Sequence, residues 1–401
     1  MPDPQSVVRI ELNQPPEGDL AARDIRESLS AVAQTGRHLW LGCDETATLE
    51  RVTQLQPGHY GEHRTYRIGD ALDLPGDDDG EVDVEGLAWA PPYLWMVGSH
   101  GRKRGKPDPE DGVEKAFAEL ADVDEDENRY LLARIPLEED ADGGGLVPRR
   151  SCADGSGATL TAARLKGKGQ RNALMRALRK DEHLRRYLKV PGKDNGFDVE
   201  GLAAAGGRLF LGLRGPVVRG WAVVLELEPA ETADRPERLK LKRIGPEGRR
   251  YRKHLLDLDG LGVREITADG DDLLVLAGPT MDVRAPATLF RWRGAVTLEA
   301  DSINGRDRLQ PLMDLPHDVD GGADHPEGIC CVQNEGGHAD AVLVVYDSGG
   351  PRRQDGPAVL ADVFRLPHGG DGGEGPLGAL FPAHRGGEGD HGSEDGDRGE
   401  G

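Results

Sequence analysis

The chain has 401 residues, with 50 Lys and Arg against 72 Asp and Glu, for a net charge of −22. So acidic a surface is a poor match for nucleic acid, and no apolar run approaches the roughly 18 residues that a membrane helix needs, so no membrane crossing is expected. The 57 Gly and 27 Pro fit many short strands and turns.

In chain order, Val7-Val-Arg-Ile-Glu-Leu12 alternates as a strand does, and Pro15-Pro-Glu-Gly18 breaks it. The start, Met1-Pro-Asp-Pro4, has neither a basic end nor an apolar stretch, and the adjacent Cys330-Cys331 makes a poor disulfide, so a reducing cytoplasm is expected. Leu29-Ser-Ala-Val-Ala33 opens a first repeat that His63–Ile68 closes. A second begins at Val82, contains a charged excursion from Arg102 to Asn128, and continues in Tyr130–Ile135. From about 155 to 190 the period becomes helical: Leu174, Ala177, Leu178, Leu184 and Leu188 share a face, and Asp181 is placed to cap a second short helix. The third repeat runs from Val199 through Trp221–Leu227 to Leu239–Ile244, the fourth includes Thr288–Trp292, and the fifth includes Val359–Arg365. Residues 369–401 are Gly, Asp, Glu and His in the main and are expected to form a disordered acidic tail.

The repeats share a phrase. Asp83-Val-Glu-Gly-Leu-Ala88 returns unchanged as Asp198-Val-Glu-Gly-Leu-Ala203, and His325-Pro-Glu-Gly-Ile-Cys330 is a looser copy. Aligning the apolar residue of each first strand gives the anchors Val32, Leu87, Leu202, Ile266 and Ile329, separated by 55, 115, 64 and 63 residues. The long interval is explained by the helical insertion. Small antiparallel meanders repeating at this spacing bury both their faces by packing in a ring. The expected architecture is therefore all-β: a single β-propeller over residues 1–368 with five blades, six as the alternative, and a helical insertion at about 155–190. Val7–Leu12 is placed to close the last blade.

In a propeller the start of each innermost strand faces the central channel. Two residues before the anchors stand Ser30, Glu85, Glu200, Arg264 and Glu327, with Asp83, Asp198 and His325 two further out. Loops after the second strands add Asp44, Glu45, His100, Arg214 and Asp347. Converging carboxylates suit a hard cation, calcium or magnesium, which makes Glu85, Glu200 and Glu327 candidate metal ligands. Asp83 and Asp198 are candidate supporting ligands or general bases, and His100 a proton carrier. Arg214, Arg219, Arg264 and Lys193 are candidates to hold an anionic small molecule. No motif for an organic cofactor is present. The structural alternative is that the glutamates pair with Arg264 and hold the repeats in register, with Gly86, Gly201 and Gly328 allowing close strand packing.

Several longer phrases resemble a bacterial family with a domain of unknown function: Val82–Ala88, Pro191–Leu202, Leu213–Trp221, Leu276–Asp282 and Val344–Ser348. The likeness covers about residues 25–366 and implies no activity. The recurring Glu-Gly-Leu also resembles the esterase-like phytase propellers, with Glu85, Glu200 and Glu327 at the repeated acidic position and Arg264 and Ser30 departing from it. The leading expectation is a metal-assisted hydrolase of a phosphorylated or otherwise anionic small molecule. The alternative is a non-catalytic propeller that binds a ligand or a protein partner.

Overall fold

The computed structural model describes residues 3–13, 25–77, 80–108, 110, 112–141, 143–281, 286–316, 318–319, 322–323, 325–333, 339–347, 352 and 357–367. The tail expected at 369–401 lies outside the described residues.

The chain is mostly β and repeats one unit, a meander of four antiparallel strands. Strand β1 (Ser6–Glu11) comes first but belongs to the last unit. Unit 1 is β2 (Leu29–Thr35), β3 (His38–Cys43), β4 (Thr48–Gln56) and β5 (His59–Arg67), followed by a single helical turn α1 (Ile68–Ala71). Unit 2 is β6 (Val84–Ala90), β7 (Tyr93–Gly98), β8 (Leu132–Glu139) and β9 (Ala163–Leu165). Within it, helix α2 (Val113–Ala121) interrupts the charged excursion. Helix α3 (Ala173–Leu178) and three 3-10 turns follow before unit 3. That unit is β10 (Asp198–Ala205), β11 (Arg208–Val218), β12 (Trp221–Leu227) and, after β13 (Arg235–Leu241), β14 (Arg252–Leu256). Unit 4 is β15 (Gly262–Asp269), β16 (Asp272–Gly278), β17 (Ala287–Trp292) and, after β18 (Ser302–Asn304), β19 (Leu309–Leu315). Unit 5 is β20 (His325–Gln333), β21 (Ala339–Asp347) and β22 (Ala358–Arg365), closed by β1, which runs antiparallel to β22 from Ser6 opposite Val363 to Glu11 opposite Ala358.

The first strands neighbour one another in a cycle: β2 lies beside β6, β6 beside β10, β10 beside β15, β15 beside β20, and β20 beside β2. The apolar core is divided to match. Each junction between neighbouring units holds its own buried cluster, including one between units 5 and 1 that joins Ile10, Val32, Leu41 and Val345. A sheet buried on both faces needs continuous apolar strands rather than alternating ones. The second strands supply them: His38–Cys43 is buried throughout, as is Leu273–Gly278. Trp40 and Trp292 are fully buried in these junctions, while Trp89 and Trp221 are half-buried. The result is a propeller-like fold. Among the described residues no helix is long and apolar enough to cross a membrane.

Two strand expectations change. The alternating run at Leu239 does form a strand, but β13 does not complete unit 3. It pairs parallel with β9 of unit 2, Arg164 opposite Arg238 and Leu165 opposite Leu239. Period two identifies a strand, not the edge it joins. The fourth strand of unit 2, β9, lies inside the stretch expected to be a helical insertion, and at three residues it is too short to show a period. Helical residues are thus confined to the connection after it, where Leu174, Leu178, Leu184 and Leu188 are buried against units 2 and 3. Asp181 caps a turn rather than a helix, accepting from the amides of His183 at 2.9 Å and Leu184 at 3.0 Å.

Parallel exchange of edge strands recurs. At the junction of units 3 and 4, β18 pairs parallel with β14. At that of units 5 and 1, β1 pairs parallel with β5, Arg9 opposite His59 and Ile10 opposite Tyr60. Each covers an edge that would otherwise present unpaired amides and carbonyls.

Candidate functional site

Every first strand carries a β-bulge at the same place. The antiparallel register skips Ser30 in β2, Glu85 in β6, Glu200 in β10 and Arg264 in β15, and shifts across Glu327-Gly328 in β20. A bulge residue drops out of the ladder and its side chain is re-aimed. The five positions singled out by the repeat are therefore the five places where the sheet releases a side chain toward its neighbours.

What they form is a chain of alternating charges. Arg214 lies 2.6 Å from Glu200 through Nη1 and donates to Asp198 through Nη2. Arg264 donates to Glu200 Oε2 at 3.1 Å through Nη1 and to Glu327 through Nη2. Asp198, Arg214, Glu200, Arg264 and Glu327 thus link units 3, 4 and 5. In unit 2, Asp83 pairs with Arg129 at 2.8 Å. At the junction of units 1 and 2 the Ser30 hydroxyl donates to the Val84 carbonyl. Burial works against the Arg214 cation, yet Glu200 and Asp198 beside it hold its pKa above the ordinary value.

Not all the acids are paired. Asp44, Glu85 and Asp347 have no ion-pair partner among the described residues, and Asp44 Oδ1 is a buried oxygen without a hydrogen bond. Burial raises the pKa of Asp44 to about 8, helped by the charges of Asp83, Asp347 and Glu327. Burial also raises Asp347 to about 6, against the pull of Arg264 and Lys193. Glu85 is pushed well up by burial and by Asp83 and Glu200. Glu200 is pushed up to about 7 by burial, against Arg214 and Arg264.

The two groups of expected site residues meet different fates. Asp83, Asp198, Glu85, Glu200, Glu327, Arg214 and Arg264 form one cluster of paired and electrostatically coupled charges at the starts of the first strands. Lys193 is exposed on a 3-10 turn, close enough to favour the charged forms of Glu327 and Asp347. Arg219 sits on the exposed hairpin turn between β11 and β12 at φ +51°, and no hydrogen bond or ion pair among the described residues links it to the others. The guanidinium groups of Arg214 and Arg264, expected to hold an anion, are shared among carboxylates. His100 is buried beside Tyr130 and bonded to the Gly98 carbonyl at 2.8 Å, and burial lowers its pKa to about 4. A neutral imidazole at pH 7 makes a poor proton donor. A resident metal ion also fits poorly. Glu200 and Glu327 give their oxygens to guanidinium groups, and among the described residues no group of three or more His, Cys, Asp or Glu side chains is placed to hold an ion.

Sequence reasoning missed Arg129 and Glu265. Arg129 precedes β8 outside the repeated phrase, and no spacing could have found it. Glu265 stands where the other repeats have Gly or Ala. Its carboxyl accepts from the Leu202 amide at 2.9 Å across the junction, and its second oxygen is buried without a partner, so burial raises its pKa well up.

These shifts predict a pH dependence. Asp44, Glu200 and Asp347 start from 3.8, 4.5 and 3.8 and rise to about 8, 7 and 6. The folded state therefore holds protons that the unfolded chain has released. Their contribution is fully present below about pH 4 and is lost as pH rises through 6 to 8. The thermal midpoint is expected to fall between pH 6 and 8.5, and Asp44→Asn should flatten that fall and stabilise by about 1–3 kcal/mol at pH 8. Melting curves across the range check this; a midpoint that climbs with pH would reverse it.

Fold and site together define a propeller-like protein with an acid-rich cluster where its first strands meet. The chain belongs to the family described as "Protein of unknown function (DUF3616)", whose model matches residues 28–362. No curated protein matches it. Among solved structures it is similar to a catalytically inactive virginiamycin B lyase from Staphylococcus aureus with quinupristin, at 9% identity and TM-score 0.30, covering 89% of this chain and 99% of that one. It is also similar to the PQQ-bound aldose sugar dehydrogenase of Streptomyces coelicolor, at 13% identity and TM-score 0.33, covering 90% and 99%. A third is the putative glucose dehydrogenase of Thermus thermophilus, at 14% identity and TM-score 0.34, covering 90% and 100%.

Proposed function

We propose that the five units are the blades of one closed propeller and that its mouth is a small-molecule site working by carboxyl acid–base chemistry, with hydrolysis of an ester or phosphoester as the reaction. The observation that carries this reading is the pair Asp44 and Asp347. They come from neighbouring blades, neither has an ion-pair partner among the described residues, and their pKa values are about 8 and about 6. Near neutral pH one is a carboxylic acid and the other a carboxylate. Asp44 can then protonate a leaving oxygen while Asp347 takes a proton from the attacking water, the division that such hydrolysis requires. Arg129, Arg214 and Arg264 fix the surrounding carboxylates. Lys193, the exposed cation above them, receives an anionic substituent of the substrate.

The test is a panel of chromogenic esters and phosphoesters assayed from pH 5 to 9. Turnover is expected to follow a bell with limbs near pH 6 and 8, and Asp44→Asn or Asp347→Asn should lower kcat by about 100-fold or more. Ligand-induced stabilisation without turnover would leave a binding propeller instead. A rise in midpoint with calcium, magnesium or manganese that disappears in Asp44→Asn would replace the metal-free reading.

A further inference from the structure

The connection between β9 and β10 carries a charge opposite to that of the molecule. From Lys166 to Phe197 there are ten Arg and Lys and only three Asp and Glu, on a chain of net charge −22. The fold sharpens this contrast. Asp181 is turned inward, where it accepts from Lys253 Nζ at 2.8 Å and from the Tyr251 hydroxyl and so pins the connection to unit 3. Leu174, Met175 and Leu188 are buried beneath. The outer face is left to cations: Arg176, Lys180, Arg185, Arg186 and Lys189 are exposed and have no ion-pair partner among the described residues. A cleft of about 590 Å³ opens among Arg179, Arg185, Arg186 and Lys189, with Gln170 on its wall.

We propose that this cleft is a second site, separate from the mouth, for a small ligand bearing several closely spaced phosphate groups. Guanidinium forks suit phosphate oxygens, and four cations around one cleft exceed what a single phosphate can use. Size follows from electrostatics. At physiological ionic strength a field fades over about 8 Å, so a compact polyanion in the cleft feels mainly the basic face, whereas a long one would lie over acidic surface as well. Phe197 is buried and Tyr187 half-buried, so neither offers a platform for stacking bases.

The experiment titrates the full chain with inorganic tripolyphosphate by calorimetry at 50 and 300 mM KCl. Saturable binding is expected, weaker at the higher salt, and reduced by about tenfold or more in the Arg185→Glu, Arg186→Glu double variant, whose melting midpoint without ligand should match the parent. Asp44→Asn should leave binding unchanged, which separates this site from the proposed catalytic mouth. Absence of saturable binding, or binding undiminished in the double variant, would overturn the proposal. So would binding of a single-stranded RNA or of phosphatidylglycerol vesicles that tripolyphosphate cannot displace.

Discussion

Replacing Arg264 by alanine is expected to destabilise the protein by about 3–5 kcal/mol at neutral pH, the usual consequence of removing one partner from a buried ionic cluster. Its guanidinium serves Glu200 and Glu327 on either side of it, both buried, and no other cation among the described residues bonds Glu327. Denaturant unfolding at pH 7.5 reads the loss. The deficit should shrink at pH 5, because both carboxyls already have raised pKa values and take up protons once the cation is gone. Arg264→Lys is expected to recover only part of it, since an ammonium cannot span two carboxylates as a planar fork does. A variant that lost ligand affinity at unchanged stability would instead return Arg264 to the anion-holding role read from the sequence.

Gly201→Ala is expected to cost about 3 kcal/mol or more, although it adds one methyl group and the backbone there tolerates any residue. A Cβ at this position would stand 2.9 Å from the Ile266 amide nitrogen and 3.0 Å from the Glu265 carbonyl carbon, backbone atoms of the next unit that no rotamer change can move. Overpacking with flexible neighbours costs about 1–3 kcal/mol; a rigid wall lies at the upper end. The equivalent glycines meet the same wall, Gly86 against Leu202 and Gly328 against Val32. Gly270 is the control: it has nothing within 4 Å, so Gly270→Ala should cost only about 1 kcal/mol for its positive φ of 63°. Comparable losses at Gly201 and Gly270 would show that conformation, not blade contact, sets the requirement.

Those glycines explain why so much was legible. Where first strands pass one another most closely, the second, third and fifth repeats meet the same backbone wall at the same bulge, so Glu-Gly before an apolar residue recurs in register and its positions can be read directly. The carboxylates were found for that reason, and the packing role of Gly86, Gly201 and Gly328 with them. The partners of those side chains were not legible. Whether Arg214 and Arg264 face a ligand or a carboxylate depends on distances between blades that no spacing along the chain encodes. Asp44 and Asp347 were visible as loop acids, but their separation in acidity arises from burial and from their neighbours, acids around Asp44 and the cations Arg264 and Lys193 near Asp347. The short β9 and the displaced β13 escaped because pairing partners lie outside the repeat.

The exchanged edge strands constrain how this protein can have changed over evolutionary time. Tandem repeats ordinarily gain or lose members by duplication or deletion of whole repeats. Here excision of unit 3 would carry away β13 and expose β9, and excision of unit 4 would remove β18 and uncover β14. A gene losing one repeat would yield a neighbour with an open edge, ready to pair with another chain. The strands that seal the sheets thereby oppose the loss of unit 3 or unit 4 alone.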